Sequence, residues 1–340
     1  MQIYLQISNI FSNFAAFFIQ YHLMINRTIV RTRVIQTLFS FYNDGEKTAL
    51  TAKKELLRSF SDSYSLYMLL LDFVNELTRY ADDQIAQAQS RAKATHVFYE
   101  PNRRFVENTF AQQVFENSTL RHYVAQEKLS WDLGMLAVED IYRKLLEAPF
   151  YKAYMSAPAT NYEEDKKVWR KIFTELMIDN ETFYTALEEL ELALDTVNWT
   201  TDADYIIGFV IKTIKRFSEQ NGAEQELLPM FENEQEVEFA KNLLQTALDH
   251  NDEYGAMIDA HLKNWDAKRI AIMDRIILIA ALSEIIHFPD IALEVTFNEY
   301  IELAKEYSSD KSYIFVNGIL TEIIRELKRN NQLLKATLLK

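Results

Sequence analysis

Three arginines near the beginning of the chain have the chemistry and the spacing to bind phosphate groups. Arg27, Arg31 and Arg33 are the only charged residues between positions 24 and 43. Arg27 and Arg31 are four residues apart, so a helix would present them on one face. A guanidinium group can pair with phosphate through two parallel hydrogen bonds. Taken alone, the pattern is more simply explained by solvated arginines on the outer face of a packed helix.

The segment that carries these arginines has the periodicity of an amphipathic helix. Its apolar residues fall one, three or four positions apart and form one stripe: Ile25, Ile29, Val30, Val34, Leu38 and Phe41. The three arginines lie off this stripe, and we therefore expect them to be exposed. The net charge of −14 at pH 7 argues against an extended basic surface for nucleic acid, and we expect any RNA site to be local.

The composition predicts an almost entirely helical protein. The 340 residues include only 6 Gly and 5 Pro, too few for sheets that are joined by tight turns. The hydrophobic fraction of 49% supplies one large core or two smaller ones. Because the chain contains no cysteine, disulfides, thiolate metal sites and cysteine nucleophiles are excluded, which is typical of a cytoplasmic protein.

Four uncommon sequence motifs follow one another between residues 265 and 320. They are W-x-x-x-R at 265–269, D-R-x-I-L at 274–278, N-E-x-x-E-L-A-K at 298–305 and F-V-N-G-x-L at 315–320. In this order and spacing they resemble the C-terminal helical half of the NusB family of bacterial transcription antitermination factors. The resemblance implies an all-α, NusB-like helical bundle.

Two positions depart from the family's motifs. Family members carry a second arginine four residues after Arg275, where this chain has Ile279, and a tyrosine where it has Ser283. Glu284, which follows that position, is retained. We expect Gly318, inside the last motif, to permit close approach of another helix, because glycine within a helix costs about 1 kcal/mol relative to alanine.

The resemblance implies an RNA-binding surface and a protein-binding surface. The expected RNA-binding residues are Arg27, Arg31, Arg33, Lys311, Ser312, Phe315 and Asn317. The expected partner-binding residues are Arg275, Glu284, Asn298 and Glu299. Phosphate contacts would come from the arginines, and base stacking from Phe315. The implied partners are boxA-like RNA of rRNA leader transcripts, the small-subunit ribosomal protein NusE, and the antitermination complex of RNA polymerase.

The resemblance covers only about a third of the chain and therefore predicts a division into segments. The NusB-like part comprises residues 24–45 and 231–330, an all-helical insertion comprises 46–230, and 331–340 form a tail. Residues 1–23 are expected to be a leader outside the native protein, since the family-like sequence begins at Met24. The apolar run at 10–19 is too short to span a bilayer, so no membrane association is expected.

The insertion contains three tryptophans, Trp131, Trp169 and Trp199. Large aromatic side chains bury much apolar area, and their N–H groups can find partners inside a protein. We therefore expect these residues to be packing anchors of a helical core, in preference to stacking platforms for bases.

No catalytic motif is found in the sequence. There is no P-loop, H-E-x-x-H or G-x-S-x-G motif, and we expect neither enzymatic activity nor a cofactor. His250 and His261, with nearby carboxylates, form only a weak metal-site pattern. The main alternative is a helical scaffold for protein interactions whose NusB-like part does not bind RNA. A hydrolase hidden within the insertion ranks last.

Overall fold

The computed structural model of the protein describes residues 24–262, 270–309 and 311–333. These residues form helices joined by turns and short loops, and they contain no strand. The prediction of an all-α fold is therefore confirmed. The predicted leader, residues 1–23, and the W-x-x-x-R motif at 265–269 lie outside the described residues.

The chain divides into two compact units. A terminal unit is built from both ends of the chain, residues 1–58 and 231–340, and a central unit comprises residues 59–230. The predicted insertion began at residue 46, whereas the central unit begins at Ser59, within a long helix. The predicted boundary was placed at a loop, whereas the boundary between the two units falls inside a helix.

The described part of the terminal unit consists of shorter helices and the first turns of the long helix. They are α1 (Arg27–Asn43), the start of α2 (Ala49–Ala94), α10 (Glu234–Asp249), α11 (Asn251–Ala260), α12 (Ile272–His287), α13 (Leu293–Tyr307) and α14 (Ser312–Arg329). Helix α1 begins after Asn26, whose side chain accepts a hydrogen bond from the backbone N–H of Ile29 at 3.1 Å. Such a cap satisfies one of the free N–H groups at a helix start.

Helix α12 lies at the centre of the terminal unit. Its residues from Ile276 to Ile285 are all buried, because the helix is apolar on nearly every side and neighbours cover it on several faces. Helices α1, α10, α11, α13 and α14 pack against it. Glu284 is the single charged residue within this buried run.

The central unit contains the rest of α2 and a series of shorter α-helices. They are α3 (Thr109–Glu116), α4 (Ser118–Glu127), α5 (Met135–Glu147), α6 (Pro149–Ser156), α7 (Tyr162–Lys171), α8 (Glu181–Ala193) and α9 (Trp199–Arg216). A π-helical turn, Ile172–Met177, extends α7. No helix in the part of the chain that the structure describes has both the length and the apolar character needed to cross a bilayer.

Buried tryptophans hold the central unit together. Trp131, Trp169 and Trp199 are all within its core. The indole N–H of Trp131 donates to the carbonyl of Leu69 at 3.0 Å, and that of Trp199 donates to the carbonyl of Asp62 at 2.8 Å. These contacts confirm the prediction that the tryptophans are packing anchors and not stacking platforms for bases.

Candidate nucleic-acid interface

A buried ion pair joins helix α1 to helix α12. The Nε and Nη2 groups of Arg31 donate to the two carboxylate oxygens of Glu284, each at 2.8 Å. The Arg31 side chain is 2% exposed and that of Glu284 is 0% exposed. Glu284 also accepts hydrogen bonds from Thr296 Oγ1 at 2.8 Å and from the Tyr300 hydroxyl at 3.2 Å. The carboxylate is thus fully satisfied inside the protein.

Helix α13 completes this polar cluster. Arg31 Nη1 lies 3.3 Å from Glu299, and Thr28 Oγ1 donates to the same carboxylate at 2.8 Å. Burial alone would lower the pKa of Arg31, but the hydrogen bond and the negative charge of Glu284 outweigh it and raise that pKa above its ordinary value. Arg31 is therefore a permanent cation that ties three helices together.

The expected exposure of Arg31, Arg33 and Glu284 is wrong. Glu284 faces the interior instead of a partner surface, because it is the counter-charge of Arg31. Arg33 is also buried, and its Nη1 donates to Gln36 Oε1 at 2.8 Å. Burial raises the pKa of Tyr307 to about 12, and the nearby positive charge of Arg33 opposes that shift.

Arg27 is the exposed member of the three arginines. Its side chain is 44% exposed and pairs with Glu236 of α10 at 3.1 Å. Its guanidinium carbon lies 5.0 Å from the centre of the Phe239 ring of α10, a distance typical of a cation–π interaction. The charge of Arg27 is accessible, but a carboxylate already neutralises part of it.

The start of helix α14 contains two exposed and two buried site residues. Lys311 and Asn317 are exposed. Ser312 is buried, and its hydroxyl donates to Asp274 Oδ2 at 3.0 Å, which joins α14 to the start of α12. Phe315 is also buried, so the expectation that its ring is available for base stacking is wrong in this conformation.

Gly318 does not lie against another helix. A Cβ atom added there would meet nothing within 4 Å, so the expected close helix approach is wrong within the described residues. The glycine instead leaves an open notch on the exposed side of α14, next to Asn317.

The remaining residues predicted to contact a partner lie at or near the surface. Arg275 forms two hydrogen bonds with Asp259, at 2.8 and 3.1 Å, and fills the space over Gly255. Asn298 is exposed and Glu299 is half-buried. The structure brings Glu299 together with Arg31, whereas Arg275 belongs to a separate contact between α11 and α12.

Lys305 and Tyr313 are functional candidates that the sequence motifs did not single out. The Lys305 ammonium lies 5.5 Å from the centre of the Tyr313 ring, across the turn between α13 and α14. Both residues are near Lys311 in the sequence, and the exposed Lys305 closes the N-E-x-x-E-L-A-K motif. An aromatic residue close to two lysines is a signal that the sequence could have provided.

Metal binding has no support in the described ranges, where no group of three His, Asp or Glu side chains is arranged to hold an ion. The two histidines of the weak metal pattern contact different carboxylates. His250 contacts Glu253 at 2.8 Å, and His261 contacts Glu326 at 3.0 Å.

Comparison with known proteins identifies the family. The model of the NusB family matches residues 193–325, which extends the likeness into helix α9 of the central unit. The transcription antitermination protein NusB of Bacillus subtilis is 41% identical over 92 residues, covering 27% of this chain and 70% of that protein. No solved structure matches the chain.

Two further relatives give the same result. The transcription antitermination protein NusB of Salinibacter ruber is 34% identical over 132 residues, covering 37% of this chain and 82% of that protein. Its counterpart from Ligilactobacillus salivarius is 43% identical over 101 residues, covering 29% of this chain and 76% of that protein. Since these identities extend over most of each relative, the resemblance seen in the sequence motifs is confirmed, and the chain belongs to the NusB family.

Proposed function

We propose that this chain is a transcription antitermination factor. In this role it binds boxA-type RNA of rRNA leader transcripts together with NusE, as a non-catalytic, cytoplasmic component of the RNA polymerase antitermination complex. The observation that carries the proposal is the 34% to 43% identity to proteins named transcription antitermination protein NusB. One of the shared motifs also contains Glu299, which connects α13 to Arg31 of α1.

The proposed RNA surface consists of the exposed site residues together with the half-buried Tyr313. Arg27 and Lys311 supply positive charge, Asn317 supplies hydrogen bonds beside the open notch at Gly318, and Tyr313 supplies an aromatic ring. Arg31 acts through the helices that it holds in place, because its guanidinium is fully engaged by Glu284 and Glu299. Phe315 and Ser312 likewise position α14 from the interior.

The proposed partner NusE would compensate for weak RNA binding by this chain alone. A protein with a net charge of −14 repels the phosphate backbone. A basic partner bound on the same RNA adds phosphate contacts at a high effective concentration. The residues we propose for the protein contact are Asn298, which is exposed on α13, and Arg275 of α12, which is half-buried and paired with Asp259.

A binding titration with boxA-like RNA, with and without NusE, tests the proposal. Replacing Arg27 and Lys311 with Ala should weaken binding and reduce the log–log salt slope by about 0.7 for each phosphate of a single strand that is no longer neutralised. Arg329→Ala, which removes another exposed cation of α14, is the matched control and should leave binding unchanged. Equal affinity of all variants would contradict the proposed RNA surface.

A second variant should change RNA binding in the opposite direction. Glu236 pairs with the Arg27 guanidinium at 3.1 Å, so Glu236→Gln should free that charge and strengthen RNA binding. An unchanged affinity would show that Arg27 does not contact the RNA. If the parent chain does not bind boxA-like RNA even with NusE, the RNA role is wrong and the scaffold alternative replaces it.

A further inference from the structure

Three consecutive apolar residues are exposed just after the long helix α2. Val97 is 62% exposed, Phe98 is 88% exposed and Tyr99 is 44% exposed. Single exposed apolar residues are common on protein surfaces, whereas large contiguous apolar patches are typical of interaction sites. This group lies in the central unit, outside the segments that contain the predicted site residues.

A defined helix cap fixes the direction of these residues. The backbone N–H of Val97 donates to the carbonyl of Ala92 at 2.9 Å, and that of His96 donates to Lys93 at 3.3 Å. His96 takes a left-handed conformation with φ of 54°. Together these bonds form a Schellman motif, which reverses the chain at the end of a helix. These bonds fix the backbone at the helix end, immediately before Phe98 and Tyr99.

Further aromatic rings lie next to this group. Tyr80 and Tyr142 pack edge to face with their centres 5.4 Å apart. Burial raises the pKa of Tyr142, and the nearby phenols of Tyr99 and Tyr80 raise it further. Tyr99 thus lies near these two rings, and the exposed Phe98 directly precedes it in the chain.

The same segment is basic in an otherwise acidic chain. Residues 84–106 contain four Arg or Lys and a single acidic residue, Glu100, which gives a net charge of +3 within a chain of −14. Arg103 is paired with Asp82 and Glu107. Arg91 and Lys93 are exposed on the last turns of α2, and neither forms a salt bridge within the described ranges.

We propose that this surface binds single-stranded RNA, with bases stacking on Phe98 and Tyr99 and phosphates contacting Arg91 and Lys93. Aromatic rings beside exposed cations are the combination that binds single strands without reading their sequence. An apolar protein partner would account for Phe98 but would gain nothing from the cations. The inference rests on the proposed RNA function and adds a second contact, in the central unit, for transcript outside the boxA element.

The test measures binding of the full chain to a fluorescent oligouridine of about 12 nucleotides, a length within the range of single-strand sites. Phe98→Ala should weaken binding about 5- to 150-fold, the equivalent of about 1 to 3 kcal/mol of stacking. Phe115→Ala removes another exposed ring of the central unit, 62% exposed, and should have no effect. An equal reduction in both variants, or in neither, overturns the proposal.

A second pair of variants tests the charges. The double variant Arg91→Ala/Lys93→Ala should weaken binding and reduce the log–log salt slope by about 1.4, or about 0.7 for each neutralised phosphate. Arg121→Ala/Lys152→Ala removes two other exposed cations of the central unit and should leave the slope unchanged. If the parent does not bind oligouridine, the inference is wrong even where boxA-like RNA is bound with NusE. Failure to bind boxA-like RNA together with retained oligouridine binding would instead refute the proposed function alone.

Discussion

Removing one member of the Arg31–Glu284 pair should destabilise the terminal unit strongly. Arg31→Met leaves the Glu284 carboxylate buried without its guanidinium partner, although Thr296 and Tyr300 still donate hydrogen bonds to it. It removes two hydrogen bonds of 2.8 Å and the compensating charge. Breaking a buried ion pair in this way costs about 3 to 5 kcal/mol. Glu284→Leu should cost a similar amount, because it leaves the guanidinium buried with Glu299 at 3.3 Å.

The double variant Arg31→Met/Glu284→Leu should be much less destabilised than the sum of the single variants. No charge of the pair remains in the core, and two well-packed apolar side chains can replace a buried pair at little net cost. The hydroxyls of Thr296 and Tyr300 lose their hydrogen bonds to Glu284, which should cost about 1 kcal/mol each. A double-mutant cycle should therefore give a coupling free energy above about 2 kcal/mol.

The assay is urea unfolding, combined with native-state hydrogen exchange of the α12 amides to assign the destabilisation to the terminal unit. Arg275→Met is the control, since its ion pair with Asp259 is partly exposed and should contribute less than about 1 kcal/mol. If Arg31→Met costs no more than this control, or if the coupling free energy is below about 0.5 kcal/mol, the role assigned to the buried pair is refuted.

Three further predictions concern local packing and titration. Gly318→Ala should raise the free energy of unfolding by about 0.5 to 1 kcal/mol, because the new methyl group meets nothing within 4 Å; reduced stability in thermal unfolding would contradict this. Gly134→Ala should instead lower the free energy of unfolding by about 1 to 3 kcal/mol, since the Cβ would lie 2.7 Å from the Trp131 ring. An unchanged melting temperature would contradict this close packing of Trp131 against Gly134. Burial, and then the charge of His250, lower the pKa of His287 from its usual 6.5. His287 therefore binds a proton more readily in the unfolded chain than in the folded one. Its contribution to the free energy of unfolding is present above pH 6.5 and is lost as the pH falls. His250→Ala should raise the pKa of His287 in an NMR titration, and an unmoved pKa would show that the two rings do not interact electrostatically.

The helical architecture was predictable because it depends on local patterns. Periodic apolar residues and the scarcity of Gly and Pro are read within a few turns of chain, and both favour helices. The bounds were less predictable at the long helix α2, where a polar second half continues without a break to Ala94. Nothing local in that polar stretch distinguishes a solvated helix from a linker.

The candidate site was less predictable because its partners are far apart in the sequence. Because Arg31 lies off the apolar stripe of α1, its position predicts exposure. It is buried by pairing with Glu284, which is 253 positions away in the sequence. One signal was present: a lone carboxylate within the apolar run of α12 should have indicated a buried counter-charge. Phe315 was similarly misjudged, since it shares the buried stripe of α14 with Val316 and Ile319. Aromatic residues at helical spacing are more often part of a core than of a binding surface.

The discontinuous terminal unit has a consequence for synthesis. Arg31 leaves the ribosome 253 positions before Glu284, a delay of roughly ten seconds to a minute at about 5 to 20 residues per second. During that interval Val30, Val34 and Leu38 have no core of their own to enter. The contiguous central unit, residues 59–230, is complete well before α12 exists. The apolar face of α1 therefore stays uncovered until α12 has been synthesised, and during that interval the nascent chain is exposed to aggregation.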